Sequence, residues 1–242
     1  MKKIFWPSLI INVVLLLSLI LLFIYYPRRL QNQQKAQLEQ YTARRVSVFR
    51  NLPMEKGAIV FLGASLIEGA NWAELFQNPR VKNRGIGGNR TQDILNRVDT
   101  LLLAKPAKLF IQCGYNDLAN GIPASEVLKN YATLLTKIRK ATPQTLVYII
   151  GLFPVLYELN GMKVKNEDLL ILNGQLKDLC QKNGVAFLDF FNPLQGNDLT
   201  HELNPSYTND GLHLNADGYT RLKALLERYV NETAPEMPPA NP

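Results

Sequence analysis

A serine, a histidine and an aspartate in this chain have the chemistry of a catalytic triad. Ser65 follows the apolar run "AIVFLG" and stands directly after Gly63 and Ala64. Asp210 and His213 come much later, in "NDGLHLNADG". A serine hydroxyl is a weak nucleophile that needs a base within hydrogen-bond reach, and a carboxylate orients that base. The residue types therefore predict Ser65 as nucleophile, His213 as base and Asp210 as the orienting acid.

Three hydrogen-bond donors that suit an oxyanion accompany these residues. The tetrahedral intermediate of acyl transfer needs N–H groups aimed at its negative oxygen. The backbone N–H groups of Ser65 and of Gly88, in "NRGIGGNRT", can supply two, and the side-chain amide of Asn116, in "GYND", can supply a third. Glycine at position 88 lets the backbone approach a substrate without an intervening Cβ. Ser65, Gly88 and Asn116 are the predicted oxyanion hole.

The elements that must position these residues alternate between strands and helices. Short apolar runs predict strands at 58–63, 81–85, 108–114, 145–152 and 185–190. Helical periodicity predicts helices at roughly 69–77, 91–103, 124–140, 166–182 and 216–230. This alternation is typical of a doubly wound α/β domain, whose parallel sheet is covered on both faces. Ligands bind beyond the carboxyl ends of such strands, where the polar turns after the first three strands collect.

The order Gly-x-Ser, "GIGG", "GYND" and "DGLH" resembles the SGNH, or GDSL-type, hydrolases over about residues 57–230. "ANWAELF", "NRGIGG" and "NPSYTNDGLHLNADGY" are similar to the lysophospholipase-like or sialate O-acetylesterase-like branch, which is related to platelet-activating-factor acetylhydrolase subunits. The resemblance implies a flavodoxin-like three-layer sandwich with about five parallel strands. It also implies ester or thioester hydrolysis without a cofactor, by Ser65, Asp210 and His213 with the oxyanion donors Ser65, Gly88 and Asn116.

Two positions depart from the usual motifs of that family. Ala64 stands where the Gly-Asp-Ser motif has its aspartate, and Asn89 stands where the Gly-Gly-Asp motif has its own. The first aspartate is not the triad acid, but it normally helps to hold the nucleophile turn. Asparagine at 89 keeps the size and one acceptor and loses the charge. The triad chemistry can survive the loss of the first aspartate, although Ser65 is then expected to be less firmly positioned.

Residues 4–26 form an uncharged apolar run that predicts a transmembrane anchor. In a helix these 23 residues, at about 1.5 Å each, span a bilayer core of about 30 Å. A cleaved signal peptide is the alternative, although its apolar core would be about 7–15 residues long and would precede a small-residue cleavage site. Basic residues nearly balance across the run. An orientation with the N-terminus cytoplasmic and the domain periplasmic or otherwise extracytoplasmic rests on the ease with which large domains translocate.

The remaining boundaries follow from composition. We expect a helical stalk at 27–52, the hydrolase domain at 53–230 and a proline-rich disordered tail at 231–242. The net charge is +7, but the four basic residues flanking the apolar run leave 23 basic against 20 acidic residues elsewhere. That balance excludes the basic surface of a nucleic-acid-binding protein.

Metal and redox chemistry have little basis in the composition. The chain holds two cysteines and two histidines, without the spacing of zinc ligands, so neither a metal nor a cofactor is expected. Cys113 and Cys180 read as buried thiols, and a disulfide between them stays open as an alternative.

The sequence as a whole predicts a membrane-anchored serine esterase for small acyl esters, such as acetylated sugars or lysophospholipids. Its expected partners are that substrate and the membrane, and its oligomeric state stays open. An O-acyltransferase of the same fold acting on envelope glycans is one alternative, and a catalytically silent anchored binding module is another. Ser65 as a plain helix cap and His201 as a rival base are the alternatives for individual residues.

Overall fold

The N-terminal part of the chain is one long helix. The computed structural model describes residues 5–159, 164–197 and 201–232, and the chain divides into two units, 1–47 and 48–242. Helix α1 spans Phe5–Asn51 and continues through Pro27. Among the described residues it is the one helix long and apolar enough to cross a membrane, with a mean hydropathy of 2.7 over its most apolar window. Since no helix end separates the predicted anchor from the predicted stalk, that boundary stays a prediction.

A parallel sheet of five strands forms the centre of the second unit, as the sequence predicts. The strands lie in the order β2-β1-β3-β4-β5. Their bounds are β1 Ile59–Gly63, β2 Val81–Gly85, β3 Lys108–Gln112, β4 Leu146–Ile150 and β5 Ala186–Leu188. Every residue of β1 and β3 is buried, because helices cover both faces of the sheet. Gly63 pairs with Gly85 on one side and with Gln112 on the other, so three strands end at the same level.

Seven α-helices among the described residues belong to this domain. They are α2 Ser65–Glu68, α3 Trp72–Leu75, α4 Thr91–Leu102, α5 Tyr115–Ala119, α6 Ala124–Ala141, α7 Asn166–Lys182 and α8 Ala216–Asn231. The four long helices match the prediction closely. The single-turn helices α2 and α5 were not predicted, because four or five residues are too few to show a helical period. A short antiparallel pair, β6 Gln195–Asn197 and β7 Glu202–Leu203, was not predicted either.

Stacked aromatic rings pack one face of the sheet. The Phe61 ring stacks on Trp72 at 4.3 Å and on Phe110 at 4.7 Å between ring centroids, and Phe110 stacks on Tyr148 at 4.6 Å. The indole N–H of Trp72 donates to the Ile67 carbonyl at 2.8 Å. The stack therefore also fixes the segment that follows Ser65 to the core.

A buried lysine at the start of β3 caps the C-terminus of α8. Lys108 is 4% exposed, and its Nζ donates to the carbonyls of Tyr229, Val230 and Glu232 at 2.6–2.9 Å. A cation suits the unpaired carbonyls of a helix C-terminus. Burial lowers the pKa of Lys108. The helix ends at Asn231, and the predicted disordered tail lies almost wholly outside the described residues.

Both thiols are free and buried, as one of the two sequence alternatives has it. Burial raises the pKa of Cys180 to about 12 and that of Cys113 well above its ordinary value. The two cysteines form no disulfide in this structure.

Candidate active site

The ends of β1 and β2, beside the turn that carries Ser65, lie unusually close to neighbouring backbone. A Cβ on Gly63 would lie 2.3 Å from the Gln112 carbonyl oxygen, and one on Gly85 would lie 2.2 Å from the Glu68 nitrogen. Both contacts are with backbone, so only glycine permits this approach. Ala64 occupies the N-cap position of α2, and Ser65 is its first residue. The interpretation of Ser65 as a helix cap is therefore wrong, because its hydroxyl does not cap α2.

The structure brings the three predicted triad side chains together. The Ser65 Oγ lies 2.9 Å from the Nε2 of His213, and the His213 Nδ1 lies 2.6 Å from the Oδ2 of Asp210. The serine and the histidine are 148 residues apart in the chain. The ring nitrogens thus face a hydroxyl on one side and a carboxylate on the other, which is the geometry of an activated serine.

A tight turn holds the histidine and the aspartate as a unit. The Asp210 Oδ1 accepts the backbone N–H groups of Leu212 at 3.0 Å and His213 at 2.7 Å. The Thr208 hydroxyl accepts the N–H of Gly211 at 2.9 Å, and Gly211 has a φ of +82°, which glycine adopts without a steric penalty. The turn therefore fixes Asp210 and His213 relative to each other without any contact from Ser65.

Hydrogen bonding keeps the Asp210 carboxyl ionised. Burial by itself raises the pKa of Asp210, but the His213 ring and the N–H groups of Leu212 and His213 outweigh that effect and lower the pKa to about 2. The carboxylate is thus negative at neutral pH. It can hold Nδ1 in its protonated form and stabilise the imidazolium that forms when Nε2 accepts a proton.

The predicted oxyanion donors also converge on this edge. A Cβ on Gly87 would lie 3.8 Å from the Ser65 Cβ, which places the "GIGG" loop beside the serine. Gly88 has a φ of +76°. Within the described part of the chain, the N–H groups of Ser65 and Gly88 donate to no protein acceptor. The Asn116 Nδ2 donates to the Asn89 carbonyl at 2.9 Å, which leaves its second hydrogen free for a ligand.

Two polar contacts that the sequence did not predict hold this loop and the start of the helix that follows it. The Glu68 Oε2 accepts the Gly87 N–H at 2.8 Å. The buried Asp117 accepts the Thr91 N–H at 3.0 Å and the Thr91 hydroxyl at 2.6 Å, which joins the start of α4 to α5. Arg97 makes a third contact of this kind. It follows the buried Ile94 by three residues and is half-buried at the margin of the apolar face of α4, where a charge needs polar partners.

His201 does not take part in this cluster. Its ring is exposed, and its Nδ1 lies 3.2 Å from the Gln195 Nε2. The position of the base beside Ser65 is taken by His213. Among the described residues, no three His, Cys, Asp or Glu side chains come together in a group that could hold a metal ion.

A profile of the GDSL-like lipase/acylhydrolase family matches residues 61–221, which include every residue of the cluster around Ser65. The chain belongs to the GDSL-like lipase/acylhydrolase family. The resemblance of the four sequence motifs is thereby confirmed, and so is the assignment of the chain to enzymes that hydrolyse esters.

Individual relatives cover most of this GDSL-type chain. Human platelet-activating factor acetylhydrolase IB subunit alpha1 is 29% identical over 196 residues, which is 75% of this chain and 82% of that protein. The rat subunit alpha2 is 27% identical over 187 residues, or 74% and 79%. Both alignments are long enough to include a whole catalytic domain.

Solved structures agree on the fold. A Streptococcus pneumonia protein provisionally described as a platelet activating factor superposes with a TM-score of 0.73 at 26% identity, over 85% of this chain and 98% of its own. The lipase/acylhydrolase from Enterococcus faecalis shares the fold with a TM-score of 0.61 at 22% identity, over 72% and 95%.

The low pKa of Asp210 predicts a specific acid sensitivity. Its folded value of about 2 lies below the ordinary value of about 3.9, so its contribution to stability is complete above about pH 4 and is lost as pH falls towards 2. The melting temperature of Asp210→Asn should therefore fall less between pH 4 and pH 2 than that of the wild type. Thermal unfolding followed by circular dichroism measures this, with Asp99→Asn as the control. Equal losses in Asp210→Asn and the wild type would contradict the hydrogen-bonding pattern described here.

Proposed function

We propose that this acylhydrolase cleaves small acyl esters through an acyl-enzyme on Ser65, with His213 as general base and acid and Asp210 as the orienting carboxylate. The observation that carries the proposal is the chain of two contacts, 2.9 Å from Ser65 Oγ to His213 Nε2 and 2.6 Å from His213 Nδ1 to Asp210 Oδ2. Both distances are within hydrogen-bond range, which is the first requirement for a base and its nucleophile.

The reaction follows from these contacts. As the Ser65 oxygen attacks the ester carbonyl, its proton moves to Nε2 of His213, and Asp210 stabilises the resulting imidazolium. The N–H groups of Ser65 and Gly88 and the amide of Asn116 receive the carbonyl oxygen as it becomes negative. The imidazolium then protonates the departing alcohol. In the second half, His213 takes a proton from water, the hydroxide attacks the acyl carbonyl, and the carboxylic acid leaves as Ser65 regains its proton.

The space beside the serine supports a short acyl group. A cavity of about 20 Å³ opens next to Ser65, with Leu66, Tyr115 and Leu212 among its lining residues. A cavity this small suits a methyl-sized acyl group better than a long acyl chain. The relatives named as acetylhydrolase subunits agree with this size. Acetylated sugars and lysophospholipid-like esters are the proposed substrates.

The apolar part of α1 supports attachment to a membrane. The described residues 6–26 are all exposed, including eleven large aliphatic or aromatic side chains in the run from Leu15 to Tyr26 alone. An unbroken apolar helix of this length suits a bilayer better than water. We propose that it anchors the enzyme with its N-terminus in the cytoplasm and the hydrolase domain outside, where envelope glycans and lipids are within reach.

Transfer of the acyl group to a sugar hydroxyl would use the same acyl-enzyme and differ only in the acceptor. A catalytically silent binding module has less support, because Ser65 keeps its contact with His213 although Ala64 stands at the position of the usual aspartate. Product analysis with and without a sugar acceptor distinguishes hydrolysis from transfer, since only hydrolysis yields free acid in both conditions.

Labelling by a fluorophosphonate tests the nucleophile. The wild-type chain should react covalently, and Ser65→Ala should not, because the probe requires an activated serine. His213→Ala should slow labelling by about 100-fold or more, since general-base assistance accounts for about 10²–10⁴ in rate. In-gel fluorescence measures the reaction. Ser206→Ala, which alters an exposed serine, is the matched control and should label like the wild type. Equal labelling of folded Ser65→Ala would end the proposal.

Enlarging the acyl cavity should change chain-length preference. Leu212→Ala should raise kcat/KM for p-nitrophenyl butyrate relative to the acetate by about 10-fold, because fit or misfit of methylenes in an apolar pocket is worth about 1–3 kcal/mol. Leu103→Ala, which alters a side chain that is 81% exposed, serves as the control. An unchanged ratio would show that this cavity does not receive the acyl chain.

The anchor is tested by fractionation. The full-length chain should keep its mass of 27.4 kDa and stay in membranes after alkaline carbonate extraction. Deletion of residues 1–30 should release the protein, because the apolar helix supplies its affinity for lipid. A C-terminal alkaline phosphatase fusion should be active if the domain lies outside the cytoplasm. A shortened, soluble product of the full-length gene would instead identify a cleaved signal peptide.

A further inference from the structure

A half-buried arginine on α4, Arg97, binds three different segments of the candidate active site. The guanidinium of Arg97 donates from Nε to the Asn89 Oδ1 at 2.9 Å, from Nη1 to the Arg84 carbonyl at 2.9 Å and from Nη2 to the Gly63 carbonyl at 3.0 Å. Each contact has ordinary hydrogen-bond geometry, and all three nitrogens of the guanidinium are engaged.

Each acceptor lies next to a part of the oxyanion hole. Gly63 ends β1 two residues before Ser65. Arg84 is the second-to-last residue of β2, just before the loop that carries Gly88. Asn89 follows Gly88, and its carbonyl accepts the Asn116 amide. Gly63 thus links the guanidinium to Ser65, two residues further along the chain. Asn89 links it to the adjacent Gly88 and, through its carbonyl, to the Asn116 amide.

The chemistry of guanidinium suits this position. Burial lowers the pKa of Arg97 to about 10, so the group keeps its charge at neutral pH. A buried charge is tolerated only when hydrogen bonds satisfy it. Its planar fork fixes the separation of the acceptors, whereas a lysine ammonium on a flexible stem cannot. Ala64, the residue between Gly63 and Ser65, has a side chain without polar atoms, so it contributes no side-chain hydrogen bond to this turn.

We infer that Arg97 is a positioning residue for the oxyanion hole, which sets the spacing between the Ser65 turn, the Gly88 loop and Asn116. It substitutes for the support that the alanine at position 64 cannot give. The inference rests on the acyl-enzyme chemistry proposed above. Its effect is on the transition state, because the donors it spaces meet a charge that develops only there.

Arg97→Lys and Arg97→Met in the full-length chain test the inference. We expect kcat for p-nitrophenyl acetate to fall by about 100-fold or more, since loss of one oxyanion donor costs about 10²–10³, while KM changes by less than about threefold. Affinity for a trifluoromethyl ketone, which forms an oxyanion on the serine, should fall in parallel with kcat. Guanidinium ion should restore part of the activity of Arg97→Ala, and ammonium ion should not.

Lys108→Met is the matched control. Lys108 is a cation that, like Arg97, makes three hydrogen bonds inside the protein, here to three main-chain carbonyls, but it lies at the opposite end of the strands. Its replacement should lower the melting temperature and leave kcat within about twofold, since it touches none of the reacting groups. If Arg97→Met behaves in the same way, with lower stability and unchanged kcat, the inference is overturned.

Two further outcomes keep the tests separate. If Arg97→Met does not fold, Asn89→Leu removes one of the three contacts at similar volume: a fall in kcat and in ketone affinity supports the inference, and unchanged values overturn it. Wild-type protein without Ser65-dependent hydrolysis would overturn both this inference and the proposed function. Normal hydrolysis by the wild type and by Arg97→Met overturns this inference alone.

Discussion

The in-register ending of three parallel strands is the constraint on which the rest of the site depends. Gly63 stands between Gly85 and Gln112, so the turns after β1, β2 and β3 leave the sheet at one level. Those turns carry Ser65, Gly88 and Asn116. A shift of one residue in any strand would turn its side chains to the other face and move its turn along the edge. The chemistry therefore requires the sheet register before it requires any single side-chain contact.

Buried polar contacts keep these turns in place once the strands have set their level. Glu68 holds the Gly87 N–H, Asp117 holds the start of α4, and Arg97 links the ends of β1 and β2 to Asn89. Each group would be costly to bury alone, and each is satisfied by hydrogen bonds to loop atoms. A network of this kind favours one loop geometry over its alternatives, which is what a preorganised site needs.

The acid and the base are organised in a different way. Asp210 and His213 are held by a local turn, with Thr208 and Gly211 completing it, and the Leu156 N–H donates to the Gly211 carbonyl at 2.8 Å to fix the turn to the loop after β4. Most of the geometry of the proposed triad is therefore set within six residues. The one long-range distance is that between His213 and Ser65, and it depends on how α8 and α2 pack. The Tyr219 hydroxyl of α8 joins the two helices by donating to the Leu66 carbonyl of α2 at 2.8 Å.

The sequence by itself determined the doubly wound fold, because apolar periodicity is a local signal. It indicated the family through the resemblance of four short motifs, and those motifs contain the residues that gather around Ser65. It could not predict α2 and α5, which are too short to show a period, or the partners of Glu68 and Asp117. The position of Arg97 at the margin of the apolar face of α4 can be read from the sequence, but its acceptors are two main-chain carbonyls and one side-chain amide from separate segments. Only tertiary structure decides such contacts, because a carbonyl acceptor has no residue type and its position depends on how distant segments pack.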